Sequence, residues 1–171
     1  RAGASYIVQR PVEFIKVAQS ETLTEAEEKY LSLSAAFMGF GRNTEAFRDF
    51  LRAAVYVPDA VDSWLQYLRR FSVSVNTRIH GTVMSLTAGV PAPCVCHDTR
   101  TRELSRQLRV PNIDVRQFVE NRYSVHDLFA QAGFSGTDFD EERGRVARVY
   151  YEVLAQIGLK PSRHLRSLAG I

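Results

Sequence analysis

An α/β fold, a parallel sheet flanked by helices, is what this sequence predicts, and three observations predict it. From Phe71 to Val115 short apolar runs alternate with helical patterns in the order strand, helix, strand, helix, strand. Such alternation signals βαβ units with right-handed crossovers. The hydrophobic share of 45% and charged share of 24% are those of an ordinary globular chain. A length of 171 residues suffices for one well-buried domain with an appended helical tail.

In chain order, "SYIVQRP" (Ser5 to Pro11) reads as a short strand stopped by proline, followed by the apolar-periodic "VEFIKVAQ". In "TLTEAEEKYLSLSAAFMGFG", Thr24 stands three residues before Glu27, a capping-box pattern, and the helix is expected to run to about Met38 before the "GFG" breaker. "NTEAFRDFLRAAV" offers another short helix. Next, Pro58 and Asp59 open a helix with Val61, Trp64, Leu65 and Leu68 on one face. "FSVSV" is a strand of period two, "IHGTVMSLTAG" a mostly apolar helix closed by Gly89, and "VPAPCVCH" a second strand. "TRELSRQLR" is a second helix and "NIDV" a third short strand. The tail holds the short helix "SVHDLFAQAGF" and the long amphipathic "DEERGRVARVYYEVLAQIGL", where Gly144 admits a local kink. Val146, Val149, Tyr150, Val153, Leu154 and Ile157 recur there at helical spacing and are expected to pack as core, on this domain or on the missing one.

Net charge is +3, and lysine occurs only at Lys16, Lys29 and Lys160, so arginine supplies nearly all the positive charge. Arginine's planar fork suits carboxylate and phosphate oxygens, although a coding bias is the better explanation of the composition as a whole. The arginines are dispersed, and no nucleic-acid-binding pattern accompanies them. Cys94 and Cys96 share one face of one strand, a geometry poor for a mutual disulfide, and no other ligand stands at zinc spacing. Two buried reduced thiols are expected, as in a reducing compartment. With no apolar run near the ~20 residues of a membrane span and no leader pattern, a cytoplasmic location is expected. The chain opens on Arg1 and enters a strand pattern almost at once, which suggests a piece of a longer protein lacking its N-terminal part.

In open α/β sheets ligands bind beyond the carboxyl ends of the strands, near helix N-termini. Two segments qualify. The first, after "FSVSV", holds Arg78, His80, Gly81 and Thr82 at a helix start, where unpaired N–H groups and the helix dipole favour an anion. Arg78 offers a bidentate partner, His80 a proton near neutral pH, Gly81 close approach, and Thr77 and Thr82 hydroxyls. Alone, this Arg-x-His reads as a solvated turn. The second segment, His97, Asp98, Thr99 and Arg100, follows the neighbouring strand and strengthens the functional reading. Asp98 is as well placed to cap the next helix, Arg100 to contact a ligand, and Arg102 with Glu103 to form a solvated face.

"SVNTRIHGTVMSLTAGVPAPCVCHDTRTRELSRQLRVP" resembles the C-terminal signature of the polysaccharide pyruvyl transferases: an R-[LIF]-H-G element after a strand, an A-G-V-P turn, and a strand ending in D-[ST]-[KR]. "YIVQ" and the "W-L-x-x-L-R-x-F" helix extend the resemblance from about Tyr6 to Pro111. It implies transfer of a pyruvyl group from phosphoenolpyruvate to two hydroxyls of a polysaccharide or its sugar precursor, forming a ketal, as in exopolysaccharide biosynthesis. It also implies a GT-B-type two-domain fold, of which this chain is the Rossmann-like C-terminal half, inactive alone. Residues 1–115 would be that half and 116–171 a helical extension packing on it. His80 and Arg78 would be catalytic; Arg78, His80, Gly81, Thr82, Asp98 and Arg100 would bind substrate. No metal and no cofactor beyond the donor phosphoenolpyruvate are implied. Asn76 stands where the family usually has Gly or Ser, and His97 where it often has Tyr. Two other readings compete: a GT-B-like glycosyltransferase using a sugar nucleotide, which calls for an acid such as Asp98 or Glu103 on the donor ribose, and a non-catalytic domain binding an anion or a sugar.

Overall fold

The computed structural model describes residues 4–8, 10–133, 135 and 137–171; the expectations that fall on Arg1, Gln9 and Phe134 lie outside them. The protein is mixed α/β with two small parallel sheets. Its contacts divide it into two compact units, Arg1–Trp64 and Leu65–Ile171. The expected boundary at residues 115 and 116 falls inside the second unit.

In the first unit, strand β1 (Tyr6–Ile7) pairs in parallel with β2 (Val55–Tyr56). Between them come α1 (Val12–Ala18), α2 (Glu25–Ala35) and α3 (Thr44–Ala54). Thr24 and Glu27 form the expected capping box, and the Glu27 carboxylate also accepts from Lys16 at 2.6 Å. The α2 pattern does not run on regularly to Met38. It widens into a π-helical turn, Ala36–Phe40, that ends as Gly39 takes φ 87°, a conformation only glycine adopts cheaply. That turn delivers Phe40 to a core where Phe14 and Phe47 meet edge to face, centroids 5.2 Å apart. Leu31, Leu51, Val8 and Val17 complete this core. Helix α4 (Val61–Leu68) carries the chain across the boundary between the units.

In the second unit, β3 (Cys94–Cys96) and β4 (Asn112–Asp114) pair in parallel, in register Cys94 with Asn112 and Cys96 with Asp114. Helix α5 (Ile79–Thr87) precedes β3 and α6 (Thr99–Gln107) joins it to β4. The expected strand at 73–75 lies parallel to β3 on its other side, but only Asn76 forms a bridge, with Cys94. Proline explains the shortfall. Ser74 N donates to Pro91 O at 2.9 Å and Asn76 N to Pro93 O at 3.2 Å. The return bond to the Ser74 carbonyl would have to come from residue 93, and proline has no N–H to give.

Alternation along β3 builds two cores. Cys94 and Cys96 face Ile79, Val110 and Phe139, with Val83, Leu86, Leu104 and Leu108 packed around them. Val95 faces the other way, with Ile113 and Leu128 and the partly buried Val115, Phe118 and Tyr123. The first set comes largely from α5 and α6. The second comes from α7 (Val115–Asn121), α8 (Val125–Gln131) and the Tyr123 between them.

Helix α9 (Asp138–Gln156) sends Phe139 into the first of these cores, and α10 (Arg163–Ala169) folds back along it, where Arg148 Nε donates to the Ala169 carbonyl at 3.3 Å. Helix α9 runs unbroken through Gly144. Of the two expected docking places for its apolar stripe, this domain covers little of it. Val149, Tyr150, Val153 and Ile157 are exposed, and only Val146 and Leu154 are partly covered. Helix α10 packs against a different face, at Gly144 and Arg148.

Both cysteines are free and buried, as the shared-face reading requires. Burial and the neighbouring Cys96 thiol push the Cys94 thiol up from 9.0 to about 11. Native protein should therefore resist a bulky thiol reagent that labels both cysteines in denaturant. The folded thiol keeps its proton where the unfolded one loses it. Stability should thus be unaffected below pH 9 and fall as pH rises from 9 to 11, by roughly 2–3 kcal/mol; Cys94→Val should flatten that slope in urea melts. A Cβ on Gly144 would lie 3.5 Å from the Leu168 carbonyl oxygen, an ordinary contact. Gly144→Ala should stabilise the protein by about 0.5–1 kcal/mol, read as a rise in urea midpoint.

Candidate functional site

The register of the second sheet decides where the two sequence segments end up. Asn76 lies beside Cys94, and Cys96 beside Asp114, so all three chain segments run out at the same rim. Neighbouring strands are about 4.8 Å apart, and the loops at Arg78, at Asp98 and at Val115 leave from this edge.

Arg78 is the residue before α5, in extended conformation (φ −125°, ψ 137°), and makes no side-chain cap. The first bond of the helix is Thr82 N to the Arg78 carbonyl at 3.3 Å. The N–H groups of Ile79, His80 and Gly81 therefore have no partner within the helix. Arg78 and His80 are both exposed. Neither side chain makes a hydrogen bond or ion pair among the described residues. Ile79 between them is buried in the sheet-side core, which fixes the two polar neighbours on the outside of the turn.

Gly81 is needed for a reason within the protein. A Cβ at that position would stand 2.6 Å from Asn76 Oδ1 and 3.2 Å from Asn76 Cγ. The Asn76 amide lies against the helix start and donates to Ser74 Oγ at 3.0 Å. The space that a small residue at 76 would leave open is filled here by this amide. Thr82 is fully buried, its hydroxyl 3.3 Å from the Arg78 carbonyl. It braces the turn from beneath and offers no hydroxyl at the rim. Thr77 is exposed.

On the second loop Asp98 caps α6, the alternative the sequence left open. Its Oδ1 accepts from Thr101 N and from Thr101 Oγ1, both at 2.6 Å. These two bonds, led by the hydroxyl, hold its carboxyl below the ordinary range, with His97 and Arg100 adding to the effect. His97 Nε2 lies 3.5 Å from the other oxygen. Arg100 is exposed and has no ion pair or hydrogen bond among the described residues. Arg102 is not part of a merely solvated face. It reaches across to Asp114 at the end of β4 with an N–O distance of 2.5 Å. The Arg116 N–H, and after it Arg102, hold the Asp114 carboxyl below its usual range. Sequence reading missed this pair; both members follow or end apolar strands, which was the available signal.

The rim thus has a definite electrostatic character. Its two carboxylates are occupied by a cap, a turn and an arginine, whereas Arg78, His80 and Arg100 are uncommitted. Such an edge can receive an anion with several oxygens. The structure brings the Arg78 and Asp98 loops to adjacent positions, as the sequence predicts, and removes Thr82 and the Asp98 carboxylate from the groups free to bind. Among the described residues no group of three His, Cys, Asp or Glu side chains could hold a metal ion.

A separate cavity of about 420 Å3 lies in the first unit, beyond the carboxyl ends of β1 and β2, lined by Val8, Ile15, Val57, Val61, Trp64 and the carboxylate-bearing Asp59. None of the expected site residues borders it. Pro58 and Asp59 after a strand were its only trace in the sequence.

The steric conflict predicts a measurable coupling. Gly81→Ala gains helix propensity but drives the new methyl into the Asn76 amide and breaks its bond to Ser74. In an Asn76→Ser background the same change should be more favourable by about 1–2 kcal/mol, measured as the interaction energy of a double-mutant cycle in urea.

No family model, curated protein or solved structure matches this chain.

Proposed function

We propose that the protein is a pyruvyl transferase, moving the pyruvyl group of phosphoenolpyruvate to two hydroxyls of a polysaccharide or its sugar precursor. In this reading the chain belongs to the C-terminal half of a GT-B-type enzyme, with a Rossmann-like sheet whose carboxyl rim holds the donor. One observation carries it: Arg78 and His80 flank an uncapped helix start without partners, next to a loop that offers Arg100. The sequence resemblance through "RIHG" and "HDTRTREL" supplies the reaction.

The chemistry asks for what these residues provide. Protonation of the donor's methylene carbon makes C2 electrophilic. One acceptor hydroxyl adds there, phosphate departs, and the second hydroxyl closes the ketal. Of the two hydroxyl protons, one ends on the new methyl group and one on phosphate, so no oxidant or reductant is needed. Arg78 and the α5 N–H groups hold the donor's anionic oxygens, with Arg100 beside them. His80 delivers the proton and steadies the charge of the leaving phosphate. Asp98, spent on its cap, supports the loop.

Engagement of Asp98 also weighs against the sugar-nucleotide alternative, which would use a free acid on the ribose. Glu103 is exposed on α6 and stays available for that role, and sugar-nucleotide binding is the direct comparison.

In the whole protein, pyruvyl transfer from phosphoenolpyruvate to a galactose- or mannose-containing acceptor should be measurable as phosphate release with ketal formation. His80→Ala should lower turnover by roughly 10²–10⁴-fold with little change in donor affinity. Arg78→Ala should mainly raise the KM for phosphoenolpyruvate, and Arg78→Lys should recover only part because the planar fork is lost. Wild-type rates in both alanine variants, or hydrolysis of a sugar nucleotide without pyruvyl transfer, would overturn the assignment.

A further inference from the structure

The proposed reaction moves the protons of two acceptor hydroxyls, and His80 accounts for one of them. It gives its own proton to the donor's methylene carbon and recovers one from the second hydroxyl. The first hydroxyl still needs a partner, because its oxygen is a poor nucleophile until a positioned base takes the proton. Of the four histidines in the chain, His126 and His164 lie on α8 and α10, away from this rim. His97 is the first residue after β3. Asn76 bridges Cys94, and Val95 N donates to the Asn76 carbonyl at 2.7 Å. Two residues on from that bridge stand Arg78 along one segment and Cys96 along the other, and His97 is the next. The loops carrying His80 and His97 therefore leave the sheet as neighbours.

His97 lies beside a carboxylate that is itself pinned. Asp98 Oδ1 accepts from Thr101 N and from Thr101 Oγ1, both at 2.6 Å, as the cap of α6. Those bonds fix the carboxylate, so Oδ2 has a set position, and His97 Nε2 is 3.5 Å from it. The His97 side chain is 49% exposed and has no other hydrogen bond or ion pair among the described residues. Its Nδ1 is thus the open nitrogen. One ring nitrogen facing a fixed carboxylate while the other stays open is the arrangement of an oriented general base.

We propose that His97 is the general base of the transfer, taking at Nδ1 the proton of the acceptor hydroxyl that adds to C2, with Asp98 positioning its ring. This role rests on the pyruvyl-transfer reading. As the hydroxyl oxygen bonds to C2, its proton passes to His97. As the bond from C2 to the phosphate oxygen breaks, the imidazolium hands that proton to the departing phosphate. His80, having protonated the methylene carbon, regains a proton from the second hydroxyl as the ketal closes. Both histidines end as they began, and no further reactant is consumed.

Pyruvyl transfer by the whole protein, followed as phosphate release with ketal formation, tests this. His97→Ala should keep the wild-type circular dichroism spectrum and urea midpoint. Its turnover should fall by roughly 10²–10⁴-fold, with the KM for phosphoenolpyruvate unchanged. Added imidazole should restore part of that rate in proportion to its unprotonated form, and should leave the wild type unaffected; a side chain with only a structural role gives no such rescue. Asp98→Asn probes the positioning. Asparagine caps a helix as well as aspartate, and the two Thr101 donors hold its oxygen at the Oδ1 place. Its amide then donates to Nε2 and moves the ring proton to Nδ1, the nitrogen that must stay open. Turnover should drop in this variant too, with the fold and the donor KM intact. A wild type that transfers no pyruvyl group removes the reaction and this role with it. An active wild type whose His97→Ala variant is equally fast, or is slow and not rescued by imidazole, leaves the reaction standing and overturns the role of His97.

Discussion

Cys94, Val95 and Cys96 are each almost wholly buried, and a strand covered on both faces must find every backbone partner inside the sheet. It does so from two directions. Cys94 N donates to Pro111 O at 2.8 Å on the β4 side, and Val95 N donates to Asn76 O at 2.7 Å on the other. The rest of the second unit is arranged around that requirement. The two faces collect different helices, the register fixes which loops leave at the carboxyl rim, and Asn76 is held where its amide meets the start of α5. The second unit's candidate site is therefore a by-product of how one three-residue strand satisfies its hydrogen bonds.

Much of this was legible in the sequence because it depends on local pattern. C-x-C on one face, the Thr24–Glu27 box, the Asp98 cap and the parallel order of Phe71 to Val115 all follow from period and capping chemistry. What was not legible depends on distance. The strand at 73–75 reads well alone, and its ladder is broken by a proline on the neighbouring segment. Thr82 looks like a rim hydroxyl until the helix turns it inward onto the Arg78 carbonyl. The stripe on α9 has a core pattern, yet periodicity cannot say what lies against it. The division at Trp64 and Leu65 falls within a helix, where composition gives no sign.

The rim shows how charge can be sorted without any excess of it. Asp98 and Asp114 lie among the arginines and histidines, so residue counts alone suggest near neutrality. Their oxygens are engaged by backbone N–H groups, a threonine hydroxyl and Arg102, and so the side chains left without partners are those of Arg78, His80 and Arg100.

The pressing of the Asn76 amide against Gly81 has a consequence for descent as well as for structure. Two positions five apart in sequence share one small volume, so neither can drift alone. A lineage that keeps asparagine at 76 is held to glycine at 81, and one with glycine or serine at 76 is released to put alanine there. Among relatives of this chain, the two positions should vary as a pair, with bulk at one excluding bulk at the other.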